Sequence, residues 1–162
     1  MIEHPNYDSS AIHNDVAVIK LKTPVDLKGK HSYLGTICLP DKEPIDKVAG
    51  KECIATGWGN TRWQGSMPRV LQKVTVQVTT QQQCKNAYSG VHTIQDGMIC
   101  FGEYGKGTCQ GDSGGPLNCN YNSKWYTYGT TSFGVRCADN WPSVSARNSQ
   151  YSKWIWDTIA VN

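Results

Sequence analysis

Apolar and polar residues alternate most cleanly at Val74, Val76 and Val78, which Thr75 and Gln77 separate. A two-residue period belongs to a strand with one buried and one wet face, so the pattern predicts β structure there. Val16 to Leu21 predicts another strand, and Cys53 to Trp58 a third that ends in Gly57-Trp58-Gly59. Trp125 to Phe133 predicts an aromatic-rich strand, and Ser143 to Arg147 a short one. The period changes at the C-terminus. Tyr151, Trp154, Ile155, Thr158 and Ile159 share one face at helical spacing, which predicts an amphipathic helix packed on the strands. Between Pro40 and Gly50 the chain is polar and Pro-containing, the composition of a connection. No internal repeat or low-complexity segment is evident.

The chain has 162 residues, a formal net charge of +3 and 38% hydrophobic residues. That suits one globular domain, or one domain plus part of another. The densest basic run, Lys20, Lys22, Lys28 and Lys30, reads as a solvated face, so nucleic-acid binding is not indicated. No apolar run reaches the roughly eighteen residues of a membrane span. Glu3, His4 and Pro5 interrupt any apolar leader at Met1. No Asn-x-Ser/Thr acceptor for N-glycosylation occurs. There are seven cysteines, Cys38, Cys53, Cys84, Cys100, Cys109, Cys119 and Cys137. An odd count leaves one thiol free or paired outside the chain. No Cys-x-x-Cys pair occurs, so neither a zinc site nor a cofactor is expected.

The chemistry is densest in Gly111-Asp112-Ser113-Gly114-Gly115-Pro116-Leu117. A serine hydroxyl is a poor nucleophile until a base and a set of donors surround it. Glycines let the backbone turn so that several amide N–H groups converge on one point. Taken alone, the stretch would be a Gly/Pro-rich surface turn. Near the start, His4-Pro5-Asn6-Tyr7 is followed by Asn14-Asp15-Val16-Ala17-Val18-Ile19-Lys20-Leu21. Both stretches resemble segments of the chymotrypsin-like serine proteases, the family of trypsin, chymotrypsin and elastase. The resemblance covers essentially the whole chain. It implies an all-β fold, a chymotrypsin-like double β-barrel with the second barrel complete, the first barrel partial, and a C-terminal α-helix. In those terms residues 1–39 are the C-terminal remnant of the first barrel, led by a short strand near His4. Residues 40–50 are the inter-barrel crossing, 51–149 the second barrel and 150–162 the helix.

The resemblance also assigns roles. Ser113 is the expected nucleophile and Asp15 the carboxylate that orients a base and stabilises its cation. The N–H groups of Gly111 and Ser113 form the expected oxyanion hole. Asp112 is the expected activation-pair carboxylate. Lacking an ammonium partner, it is expected to turn outward and misdirect the Gly111 N–H. Ser132 is expected beside Asp15. The expected disulfides are Cys53–Cys119, Cys84–Cys100 and Cys109–Cys137, with Cys38 unpaired. The substrate pocket is expected to involve Gly107, Thr108, Ser132, Phe133, Gly134 and Ser143. Gly107, six residues before Ser113, brings no charge to the floor. That implies chymotrypsin- or elastase-like cleavage after apolar residues, with Asp139 as an alternative cation site. Phe133, Ser143 and Ser145 depart from the family's frequent Trp, Gly and aromatic at these places.

The family's base histidine, in an Ala-Ala-His-Cys motif upstream of the aspartate, has no match here. His4, His13, His31 and His92 are each poorly placed in sequence to replace it. The expectation is a fragment, truncated at the N-terminus, of a secreted, monomeric serine endopeptidase, inactive by itself. Its expected partners are polypeptide substrates and protein inhibitors of proteases, with no nucleic acid and no membrane. The alternative is a catalytically dead homologue that acts as a binding protein.

Overall fold

A hairpin carries the clearest alternation of the chain. In the computed structural model, which describes residues 1–41 and 47–162, β3 (Glu52–Gly57) pairs antiparallel with β4 (Gln72–Gln77). Val76 is buried and Val74 partly buried, while Thr75 and Gln77 face solvent. Around this hairpin a six-stranded antiparallel sheet runs in the order β4-β3-β6-β7-β8-β5. Its other members are β5 (Met98–Phe101), β6 (Pro116–Tyr121), β7 (Lys124–Phe133) and β8 (Ser143–Arg147). The sheet curls until its edges meet. Val78 and Phe101 form a bridge, Thr79 N–H donates to Cys100 C=O at 2.9 Å, and Gly102 N–H donates to Gln77 C=O at 2.9 Å. Edge amides that would otherwise need water are thereby paired. The curl encloses Val48, Ala55, Val76, Val78, Ile99, Phe101, Leu117 and Tyr128.

A second antiparallel sheet has only β1 (Ile2–Glu3) and β2 (Ala17–Val18). The strand expected over Val16 to Leu21 is thus cut to two residues. The reason is pairing: β1 offers only Ile2 and Glu3 as partners, and Ile19 and Leu21 remain exposed. The C-terminal helix, α2 (Asn148–Val161), starts two residues earlier than expected. Tyr151 and Thr158 are buried and Trp154 and Ile155 partly so, but Ile159 faces solvent. Asn148 ties the helix to β7, donating to Thr127 C=O at 3.0 Å and accepting from Thr130 Oγ1 at 3.0 Å. These features make a mostly β, chymotrypsin-like fold.

Three elements were not anticipated. β5 and β6 are strands, and α1 (Gln81–Ala87) is a short helix. A capping box starts α1: Thr80 Oγ1 accepts from Gln83 N–H, and Gln83 Oε1 accepts from Thr80 N–H. The connection expected over 40–50 lies partly outside the described residues. Of its described part, Pro40 and Val48 are buried, so it is not wholly polar.

The bridges are Cys53–Cys119, Cys84–Cys100 and Cys109–Cys137. Cys38 is free and exposed, and its backbone pairs with Trp125 and Thr127 beside β7. Leu117 is fully buried at the centre of the curled sheet (0% exposed). Leu117→Ala should lower unfolding free energy by about 2–5 kcal/mol in urea titrations. Leu71→Ala, at an exposed position, should stay within about 0.5 kcal/mol.

Candidate active site

The Gly111–Gly115 turn is continuous with β6 and locked to β7. Gly114 N–H donates to Thr131 C=O at 2.8 Å, and Thr131 N–H donates to Gly115 C=O at 2.8 Å. This reciprocal pair sets Ser113 beside Thr131 and Ser132. Gly111 and Gly114 have φ of 97° and 78°, a backbone region that favours glycine. Within the turn, Gly115 N–H donates to Asp112 C=O at 2.8 Å and Asp112 N–H to Cys109 C=O at 3.0 Å. The Gly111 and Ser113 N–H groups donate to no other protein group among the described residues, so they remain available to a ligand.

β7 slips its register against β8 at Thr131/Phe133, which makes Ser132 the extra residue of a bulge. A bulge re-aims a side chain. Here Ser132 Oγ donates to Asp15 Oδ2 at 2.6 Å. Asp15, Ser113 and Ser132 line one cleft of about 470 Å³, with Val16, Ala17, Thr130 and Thr131 among its walls. No histidine is among the described residues that line it.

Asp15 arrives on a segment with little sheet of its own. Asn14, at φ 55°, precedes it and acts as a tether. Asn14 Nδ2 donates to Asn6 C=O at 2.7 Å, and Tyr151 on α2 donates its hydroxyl to Asn14 Oδ1 at 3.3 Å. Burial raises the Tyr151 phenol pKa, so it stays a donor through the neutral range. His4 packs against Tyr151 and Trp154, with ring centroids 5.5 and 4.8 Å apart. Burial, with His13 nearby, holds the His4 imidazole below its ordinary pKa. His13 pairs its backbone with Asp8, the His31 ring meets Tyr33 edge-to-face, and the His92 ring lies tilted against Phe133.

Asp112 does not turn outward. Its carboxylate accepts Gly59 N–H on Oδ1 at 2.8 Å and Cys109 N–H on Oδ2 at 2.9 Å. The expectation of an unpaired carboxylate overlooked these amides, which supply the positive dipoles that a half-buried carboxylate needs. A Cβ at Gly57 or Gly59 would collide with that carboxylate. The Gly57-Trp58-Gly59 strand end is therefore a seat for Asp112, a role that its sequence alone did not signal.

A second pocket, of about 180 Å³, opens beside Ser113. It is lined by Thr108, Gln110, Thr131 to Gly134 and the Cys109–Cys137 bridge, with no ionised side chain. Gly107 and Ser143 are not in its lining. Gly107 faces the cavity behind Asp112, and Ser143 is buried, its Oγ accepting Thr108 N–H at 2.8 Å. A Cβ at Gly107 would stand 2.5 Å from Ser143 Oγ and 2.6 Å from Ala138 Cβ. Asp139 does not line the pocket either. Tyr88 braces the wall from outside, donating to Pro142 C=O at 2.6 Å; burial pushes its phenol up to about 12.

A family model described as trypsin matches residues 1–155. Among curated proteins, serine protease 1 of Canis lupus familiaris and trypsin of Sus scrofa are each 40% identical over 166 residues. Each match covers all of this chain and 63% and 67% of the respective relative. Serine protease 1 of Rattus norvegicus is 41% identical over 169 residues. The chain thus spans about two thirds of the length of the relatives it matches, 63% of the first.

Removing the Asp112 carboxylate would leave two backbone donors without their charged acceptor. Asp112→Ala should cost about 2–3 kcal/mol in urea titrations. Asp112→Asn should lose less, because its amide oxygen still accepts one N–H.

Proposed function

Because this chain belongs to the trypsin family of serine proteases, we propose that it is a serine endopeptidase acting through an acyl-enzyme on Ser113. The Ser113 hydroxyl attacks the scissile carbonyl carbon while a base takes its proton. The carbonyl oxygen gains the negative charge, and the unengaged N–H groups of Gly111 and Ser113 stabilise it. Such a donor is worth about 2.7–4 kcal/mol in the transition state. Collapse of the tetrahedral intermediate expels the amine and leaves the acyl group on Ser113; water then releases it. Asp15 orients the base and stabilises its cationic form. One observation carries this proposal: the Ser132–Asp15 hydrogen bond of 2.6 Å, in the cleft that Ser113 also lines.

None of His4, His13, His31 and His92 lines the cleft that Ser113 and Asp15 share, and we propose that none of them supplies the base. Residues 1–162 by themselves are therefore proposed to be inactive. The same observation favours a second reading, a homologue without peptidase activity that binds a partner. The retained Asp15, Ser113 and glycine turn favour the enzyme, since a binding module has no need of unpaired amides beside an exposed serine.

The pocket beside Ser113 supports a preference for uncharged side chains before the scissile bond, aromatic or aliphatic. A cationic head entering it would lose water and find no carboxylate. Gly107 cannot be replaced by an acidic residue without displacing Ser143 or Ala138. Polypeptides are the proposed substrates, and protein inhibitors of the same shape the proposed partners. Three disulfides support a secreted, oxidising location. No helix of the described residues is long and apolar enough to cross a membrane.

A fluorophosphonate should label Ser113 of residues 1–162 at least about a thousandfold more slowly than it labels trypsin of Sus scrofa, and Ser113→Ala should abolish what labelling remains. Labelling of this chain at the trypsin rate would overturn its proposed inactivity. A chimera that joins the unmatched N-terminal segment of that trypsin to residues 1–162 should label at a rate approaching that of trypsin; its failure to label would favour the binding homologue.

In a peptide panel, kcat/KM of that chimera for Phe, Tyr, Leu or Met should exceed that for Arg or Lys by at least about a hundredfold. Faster turnover of the Arg peptide would reject the uncharged pocket and point to Asp139.

A further inference from the structure

The segment between β3 and β4, residues 58–71, lies across the Gly111–Ser113 turn. Three contacts join them. Asn60 N–H donates to Gln110 C=O at 2.8 Å, and Gly59 N–H donates to Asp112 Oδ1 at 2.8 Å. The third is apolar: the Met67 thioether covers Gly111. A Cβ built on Gly111 would stand 2.7 Å from Met67 Cε, 3.1 Å from Gly59 Cα and 3.6 Å from Met67 Sδ, which places the thioether against Gly111. The two hydrogen bonds are chemically inert, whereas the thioether is oxidisable. Met67 is 62% exposed, within reach of an oxidant in solution, whereas Met98 is sealed at 3%.

We propose that Met67 is a site of reversible oxidation that loosens the Gly111–Ser113 turn. Hydrogen peroxide donates one oxygen to Met67 Sδ. The S–O bond forms as the O–O bond breaks, the sulfur is oxidised by two electrons, the peroxide is reduced, and water leaves. The product is a polar sulfoxide, which seeks solvent and leaves the apolar seat over Gly111. A methionine sulfoxide reductase reverses the change. With its cover lifted, the turn keeps only two contacts to the 58–71 segment, those at Gln110 and Asp112. The effect on peptide hydrolysis rests on the proposed oxyanion role of Gly111; the oxidation and the loosening do not.

The test uses residues 1–162 with Cys38 alkylated and limiting hydrogen peroxide. Peptide mapping should find Met67 oxidised well ahead of Met98. Backbone amide exchange over residues 109–115 should then rise by about fivefold. Sulfoxide reductase should restore the original rate. Met67→Leu, which keeps the volume without the sulfur, should be insensitive to peroxide even though Met1 still oxidises. Met67→Gln should raise exchange without any oxidant. Both variants sit at an exposed position and leave the buried core untouched. Oxidation of Met67 no faster than Met98 would overturn the proposal, as would unchanged exchange after complete oxidation or an equal rise in Met67→Leu. None of these measurements reads peptidase activity, so their failure is distinct from failure of the proposed hydrolysis.

Discussion

Two backbone hydrogen bonds at Thr131, one accepted from Gly114 and one donated to Gly115, set the geometry of everything around the candidate site. They extend the β6–β7 pairing into a glycine turn that would otherwise be a loose connection. Two groups separated by nineteen positions in the chain, Ser113 and Ser132, become neighbours through them. The bulge that follows at once in β7 turns Ser132 towards Asp15. Without that extra residue the two-residue period of the strand would carry Ser132 to a different face. The close packing beneath has its own requirement: a Cβ at Gly129 would press on Ser145 and Leu117, so that the sheet can approach itself only over a glycine.

Asp15 depends on the far end of the chain. β1 and β2 contribute only two residues each, too little to be stable by themselves. Their position is maintained by Tyr151 on α2 through Asn14, and by His4 against Tyr151 and Trp154. Each such contact contributes on the order of 1 kcal/mol, so the carboxylate is held by several small terms. The helix is held in turn by Asn148 on β7. β7 therefore supports Ser113 directly and Asp15 at one remove.

The Cys109–Cys137 bridge joins the two walls of the pocket beside Ser113, and Thr108 leans on buried Ser143 beneath it. Ser143 and Ala138 leave no room for a side chain at Gly107, one residue beyond that lining. Asp112, on the other side of Cys109, is satisfied by the amides of Gly59 and Cys109. These adjacent cavities share the 107–113 segment, so a shift of that segment changes both.

The residues proposed to carry chemistry could be picked out in the sequence because they sit in contiguous motifs. Gly111 to Leu117 and Asn14 to Leu21 pointed to the family, and through it to an all-β, chymotrypsin-like fold. Periodicity or an aromatic run located β3, β4, β7 and α2. β5 and β8 carry no such signal, because every residue of each is buried and the alternation is erased; β8 was expected as a short strand and β5 was not. α1 escaped because only Cys84 is buried, so no apolar stripe exists and only the Thr80/Gln83 capping box marks it. Val16 to Leu21 reads as a full strand, yet its length depends on partners that local sequence does not contain. Asp112 looked unpaired for a similar reason: its acceptors' partners are backbone amides, which carry no residue-type signal. The bulge at Ser132, the lack of room for a side chain at Gly107 and the Met67 cover over Gly111 all arise from contacts between distant segments. Sequence determined which side chains and turns the chain possesses, because propensity and motif chemistry are local. Tertiary structure decided which of them meet, because register, curl and packing depend on the whole sheet closing at once.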